Sequence, residues 1–383
     1  MTAILLLTSQ LFETTNPELA LKLNPLSSEA RVKVAVQDLT ANPALKEQAL
    51  AVSLDGLKLH RLDARFLSLA GLAAQTAGDA AGAEAYFRAS LSISPTEFQA
   101  LSALLRLDLI AGKPAEAAER MDILTRRWGQ QFETYVPLAP AIVSEASGLE
   151  KIRTLFAVPN ARRDLVLRGL LDVDGATGVA SQLVASWSDA NVPDRAVLVN
   201  RVTAKLLKLK QDQAAYLFHL NYGGLDTNDD AYVKNGNFAQ KPDGSAFDWS
   251  VSAQRGVNIT LNSTSGAQTQ FLDSPVQLDN LSQLIALAPG SHALTLEYST
   301  QYLKTPAPVR LEVRCRSGKL LGNVVLEGPT KPLSKTGITF EVPQGDCLLQ
   351  RIAVTSDKLP ESWQNRYSGI VTLSSIKIER IEQ

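Results

Sequence analysis

Two cysteines, Cys315 and Cys347, are the most reactive side chains in this 383-residue sequence. They form a disulfide, or two reduced core thiols, or a metal-binding or catalytic thiol pair. A disulfide across the loop between them would contribute on the order of 3 kcal/mol in the chain-entropy model. The three histidines, His60, His219 and His292, lie far apart, and none has a second ligand at metal spacing. His292 sits in an alternating run and reads as a surface or satisfied core histidine. No G-x-S-x-G elbow, phosphate-cradling glycine loop or dinucleotide fingerprint occurs. The acidic run 169–175 lacks alternating calcium ligands and reads as a helix end. Glycosidase chemistry needs two facing carboxylates, and no spacing marks out such a pair. No catalytic residue, cofactor or metal is therefore expected, and a degenerate carbohydrate-active enzyme is the lowest-ranked alternative.

Sugar binding needs exposed aromatic faces beside planar polar groups. Tyr298, Tyr302, Trp363 and Tyr367 are the candidate rings, with Gln301, Gln364, Asn365 and Arg366 as hydrogen-bonding partners. The run Trp363-Gln364-Asn365-Arg366-Tyr367 stands out because it occupies a polar loop, where alternation does not force a tryptophan inward. The competing reading is that Trp363 and Tyr367 close the edge of a β-domain. Trp249, at strand spacing from Phe247, reads as core.

The elements that must position these residues follow from a change in composition. Residues 1–220 contain 37 alanines and residues 221–383 only 10. The first part is a helix composition; the second carries turn dipeptides between short runs of Val, Ile, Leu and Thr, a strand composition. The glycine-bearing stretch near 222–230 separates them. The expected division is a helical domain over 1–221, a linker over 222–232 and a β-domain over 233–383.

Within the helical part, residues 64–97 and 98–131 repeat with a period of 34, the length of a helix-turn-helix solenoid unit. Leu67, Gly71, Gly78, Ala83, Phe87 and Pro95 correspond to Leu101, Leu105, Gly112, Ala117, Met121 and Gly129. Small residues at Gly71 and Ala83 let paired helices approach. Gly78 and Gly112 turn the chain, and Phe87 or Met121 plugs the groove left by the neighbouring pair. Pro114 fits a first helical turn. These units resemble the tetratricopeptide repeat family, although Leu67 and Ala74, then Leu101 and Asp108, replace its aromatic pair. The segment 16–25 reads as the second helix of a further unit. Amphipathic runs at 133–145, 149–157, 161–172, 176–187 and 194–220 read as more helices, giving one curved array of about ten or more. The resemblance implies a protein-binding surface, for which Arg65, Arg88, Arg106, Arg126, Arg127, Arg162 and Arg163 are candidates beside a plain solvated face.

In the second part, runs 247–251, 257–261, 292–298, 309–313 and 370–378 alternate with period two. About nine or ten such runs suit a two-sheet antiparallel sandwich. The phrases Asn235-Gly236-Asn237-Phe238 with Phe247-Asp248-Trp249, then 287–294, then 369–378, resemble the jelly-roll carbohydrate-binding modules of bacterial surface proteins and glycosidases. Such modules often hold calcium through an acidic residue in the last strand; Ser374 and Ser375 stand there instead, which argues against a calcium site.

A formal charge of -1, spread evenly over both parts, excludes a phosphate-backbone binder. No apolar run approaches the roughly 18 to 20 residues of a membrane span. A disulfide would imply a periplasm or cell surface, whereas Met1–Leu7 is not a secretion signal. The expectation is an exported domain whose anchor or signal lies upstream, with a cytoplasmic protein as the alternative. The resemblances imply a non-catalytic adaptor. Its helical repeats would bind a protein partner and its sandwich a glycan or envelope component, in exopolysaccharide or cell-surface assembly. The alternative is a purely structural interaction module without glycan binding.

Overall fold

The computed structural model describes residues 2–158, 161–187, 195–223, 232–262 and 264–381. The chain divides into two compact units, Met1–Val179 and Ala180–Gln383. Most of the expected 222–232 linker lies outside the described residues.

The first unit is helical: α1 (Thr2–Phe12), α2 (Pro17–Leu23), α3 (Ser28–Ala41), α4 (Lys46–Leu59), α5 (Ala64–Thr76), α6 (Ala80–Ile93), α7 (Phe98–Ile110) and α8 (Pro114–Arg127). Helix starts are written in the sequence. Asn16, Ser27, Asp63, Asp79 and Glu97 each accept a hydrogen bond from a first-turn N–H, satisfying a donor that the helix itself leaves orphaned. Gly78 and Gly112 take φ values of +83° and +66°, which only glycine adopts at little cost. Gly71 lies against the Phe87 ring, where a Cβ would approach to 2.6 Å. Phe87 also packs with Ala83, Ala100, Ala103 and Leu104, so it joins its own pair to the next. Ala117 and Met121 are fully buried in the corresponding places, while Pro95 ends α6 in an exposed turn.

Beyond α8, the run 133–145 is not one helix but α9 (Phe132–Tyr135), a 3-10 turn at Val136–Leu138 and α10 (Ala139–Val143). Pro137 and Pro140 remove the N–H groups a continuous helix would use. Next come α11 (Ala146–Leu155), α12 (Ala161–Leu171) and α13 (Thr177–Ser186). The run 194–220 is two helices, α14 (Arg195–Lys208) and α15 (Asp212–Tyr222), broken where Lys210 adopts φ +59°. None of the described helices is long and apolar enough to cross a membrane.

The β-domain holds β1 (Ser250–Val251), β2 (Val257–Asn262), β3 (Gly266–Ser274), β4 (Leu281–Ile285), β5 (Gly290–Lys304), β6 (Val309–Cys315), β7 (Leu320–Val325), β8 (Lys331–Val342), β9 (Gln350–Ser356) and β10 (Tyr367–Arg380). They form two antiparallel five-stranded sheets, ordered β1-β4-β9-β6-β7 and β2-β3-β10-β5-β8. One apolar core fills the space between them. Trp249, Leu296, Val313, Ile352 and Leu373 are among its buried members. This is the expected sandwich. Of 247–251, only Ser250 and Val251 pair as strand; Trp249 is still core, its Nε1 donating to the Asn235 carbonyl at 3.0 Å. Cys315 and Cys347 form a disulfide between the end of β6 and the loop after β8.

Helices α14 and α15 belong to the same compact unit as the sandwich. Arg316, next to the disulfide, pairs with Asp212 and donates to the Leu207 carbonyl at 2.6 Å. His219 and Tyr216 pack on Phe247 with ring centroids 4.8 and 5.5 Å away.

Candidate functional site

Strand alternation sends every second residue of the β2-β3-β10-β5-β8 sheet away from the core. Register aligns those residues into rows across the strands. One row is Asn258, Gln270, Ile370 and Gln301; the next is Thr260, Gln268, Thr372 and Ser299. A third places Ser375, Glu297 and Lys335 side by side. The amides and hydroxyls of the first two rows make no side-chain hydrogen bond among the described residues, and none of these residues is buried. Seven open amide and hydroxyl side chains on one sheet face can bind a polyhydroxylated ligand through several simultaneous hydrogen bonds.

The outer face of the other sheet is different. Its arginines are already satisfied: Arg310 by Asp357 at 2.8 Å, Arg314 by Glu312 at 2.7 Å and Arg351 by Asp279 at 2.6 Å. That face differs in carrying three arginines, each paired with a carboxylate.

Two exposed rings lie on segments next to the ends of the strands that carry these rows, Tyr302 in β5 after Gln301 and Trp363 just before β10. Trp363 is 74% exposed on a single 3-10 turn, Trp363–Asn365, that precedes β10. The turn is fixed by its own side chains: Ser362 Oγ accepts from the Gln364 N–H, and Asn365 Nδ2 donates to the Pro360 carbonyl at 2.9 Å. Arg366 reaches Asp273 at the end of β3, 3.3 Å away. Tyr302 is 79% exposed at a bulge in β5, with φ +51° and its N–H bonded to Thr330 Oγ1. Its carbonyl packs on Gly369, where a Cβ would come within 2.4 Å and the φ of +97° also favours glycine. Register places the Tyr302 bulge directly beside the start of β10.

The two other candidate rings are corrected by the structure. Tyr298 and Tyr367 point inward, in step with the apolar residues of β5 and β10, and are buried. Tyr298 accepts hydrogen bonds from the Glu327 N–H and from Lys331 Nζ, while Tyr367 stacks on Phe271. Neither presents a face to a ligand. Gln364 is exposed, Arg366 is exposed but paired, and Asn365 is engaged in its own turn. His292 is buried, with Nε2 against the Ala288 carbonyl at 2.9 Å. The amide rows escaped the sequence reading because alternation identifies an outward position but not its neighbours on adjacent strands. The available signal was the frequency of Gln, Asn, Thr and Ser at those positions, in place of the usual Lys and Glu.

In the helical unit, α3, α5 and α7 line a groove of about 450 Å³. Val32, Val36, Leu69 and Leu72 supply apolar floor, and Gln37 and Gln99 polar rim. Arg65 enters this groove but is neutralised by Glu29 and Asp63. The other candidate arginines scatter. Arg88 pairs with Glu84 on the surface, Arg126 and Arg162 both pair with Asp122, and Arg163 is buried with Nε donating to the Phe156 carbonyl.

No family model and no curated protein matches the sequence. Among solved structures the chain is similar to one described as CBM4, with a TM-score of 0.30 and 11% identity over 39% of this chain and 99% of that one. It is also similar to TmCBM61 in complex with beta-1,4-galactotriose, with a TM-score of 0.26 and 18% identity over 39% and 99%. A likeness to Naa15/Naa10 bound to HypK-THB has a TM-score of 0.31 and 18% identity, and covers 59% of this chain and 36% of that one.

Proposed function

We propose that this protein is a non-catalytic adaptor whose sandwich binds an uncharged glycan and whose tetratricopeptide-like helices bind a protein partner. The observation that supports it most is the pair of unfilled amide and hydroxyl rows, with exposed Trp363 and Tyr302 on segments next to the ends of the same strands. Amides match sugar hydroxyls as donors and acceptors, and an indole or phenol face covers the apolar C–H face of a pyranose. Few charges lie on the rows, which favours a neutral glycan over a uronic acid polymer. The disulfide supports a periplasmic or surface location and, with it, a role in exopolysaccharide or cell-surface assembly.

The test is affinity electrophoresis of the full chain in gels cast with neutral and acidic polysaccharides. Retardation by a neutral polymer is expected, with affinity about ten-fold lower in Trp363→Ala and Gln270→Ala while thermal unfolding is unchanged. No retardation by any polymer, or retardation indifferent to both substitutions, refutes the glycan reading. A second reading is favoured by the docking of α14 and α15 through Arg316, Asp212 and Phe247: the sandwich would then be a structural support for the last helices.

A further inference from the structure

We propose that a cleft on the turn edge of the helical array binds an acidic segment of the partner protein that also carries a bulky apolar side chain. It rests on the reading of the array as a protein-binding surface and names both the place and the chemistry of the partner. The cleft measures about 910 Å³. It opens between the α4–α5 turn and the α6–α7 turn, with the end of α8 as its third wall.

Its charge balance is uneven once internal pairs are removed. Both acids on its walls are already engaged. Asp63 caps α5 and holds the Arg65 side chain, while Glu97 caps α7 at 2.7 Å and accepts from the Ser68 hydroxyl. Lys58 is held by Asp55 at 2.7 Å. Arg61 and Arg127 remain, both exposed and with no ion pair or hydrogen bond among the described residues. Two unfilled guanidinium forks favour carboxylates, which they can bind bidentately. Two cations are too short a track for a nucleic-acid backbone, whose binding scales with the number of phosphates neutralised.

The same walls carry unused apolar surface. Leu62 is 84% exposed and Leu59 59%. Trp128, half-buried, stands edge-on to Phe98 at 5.4 Å. Tryptophan and arginine are enriched at binding hot spots, and the uncovered leucines add exposed apolar area beside them. An apolar side chain set between carboxylates would cover Leu62 and Trp128 while its neighbours reach Arg61 and Arg127.

The experiment titrates the full chain, by fluorescence anisotropy, with three labelled libraries of short peptides. Leu and Phe alternate with Asp and Glu in the first, with Asn and Gln in the second, and with Lys and Arg in the third. The acidic library is expected to bind at least about ten-fold more tightly than the others, and more weakly as salt rises. The Arg61→Glu/Arg127→Glu variant should lose that preference with its circular-dichroism melt unchanged. If the libraries bind equally, or acidic binding survives in the variant, the peptide sits elsewhere on the array, and this inference falls while the protein-binding reading stands. Binding by no library overturns both. Dimers in sedimentation that the double variant dissociates would make a second copy the occupant and also overturn the proposal.

Discussion

His219 shows how far a single residue's chemistry depends on where the fold places it. Its ring is buried between α15 and Phe247, Gly223 closes over it, and neither nitrogen has a hydrogen-bond partner. Burial strips water from the imidazolium and outweighs the opposing pull of Asp243, with Lys234 adding a smaller repulsion, so the pKa falls to about 4. A depressed histidine pKa means that the unfolded chain takes up a proton first. Stability should therefore be constant above about pH 6.5, decline as pH falls towards 4, and level off below it. The total is on the order of 3 kcal/mol. Urea unfolding followed across that range should show the decline in the native chain and its loss in His219→Leu; an unchanged pH profile in the variant would reject the assignment. Residue identity alone could not reveal this burial, because His219 lies on a helix whose packing face is set by a distant turn at Phe247. The same gap misplaced Tyr298 and Tyr367, whose ring type suits a ligand but whose position in the alternation sends them inward. Trp363, free of any alternating pattern, was legible.

At the scale of elements, the helical pairs were readable because the turn glycines Gly78 and Gly112 recur 34 residues apart, both with positive φ. Gly71 admits Phe87 between α5 and α6, and at a different spacing Gly56 admits Phe66 between α4 and α5, with a Cβ approach of 2.2 Å. Alanine is normally the better helix former, so Gly71→Ala would gain about 1 kcal/mol from propensity alone. The clash with a fully buried ring should outweigh that gain, for a net loss of about 1–2 kcal/mol. Combining it with Phe87→Leu should recover part of the loss, since the smaller side chain vacates the space. A double-mutant cycle by chemical denaturation measures the coupling, and strict additivity would show that the two side chains do not compete. Helix interruptions were harder to read: amphipathic spacing continued through Pro137, Pro140 and Lys210, and the backbone stops at those residues outweigh the period. The sheet faces were half legible. Alternation located their outward residues, while the rows that make a site exist only after strand order joins β3, β10 and β5.

For the molecule as a whole, composition separated helices from strands correctly, yet the compact units divide at Val179 and Ala180. Alanine content reports what an element is made of, not what it packs against. Helices α14 and α15 share a unit with the sandwich because Arg316 and Phe247 receive them, and Arg316 directly follows a disulfide cysteine. The Cys315–Cys347 cross-link thus stabilises two things, the sandwich itself and the platform for the helix pair. Removing it through Cys315→Ser/Cys347→Ser should cost about 3–4 kcal/mol of the stability of residues 180–383. Hydrogen exchange should then rise around β6, in the loop after β8 and also in α14–α15, because Arg316 loses its fixed origin. Residues 1–179 contain no cysteine and should exchange as before. Faster exchange confined to the sandwich, with α14 and α15 as protected as in the native chain, would show that Phe247 and the helix core hold the pair without Arg316.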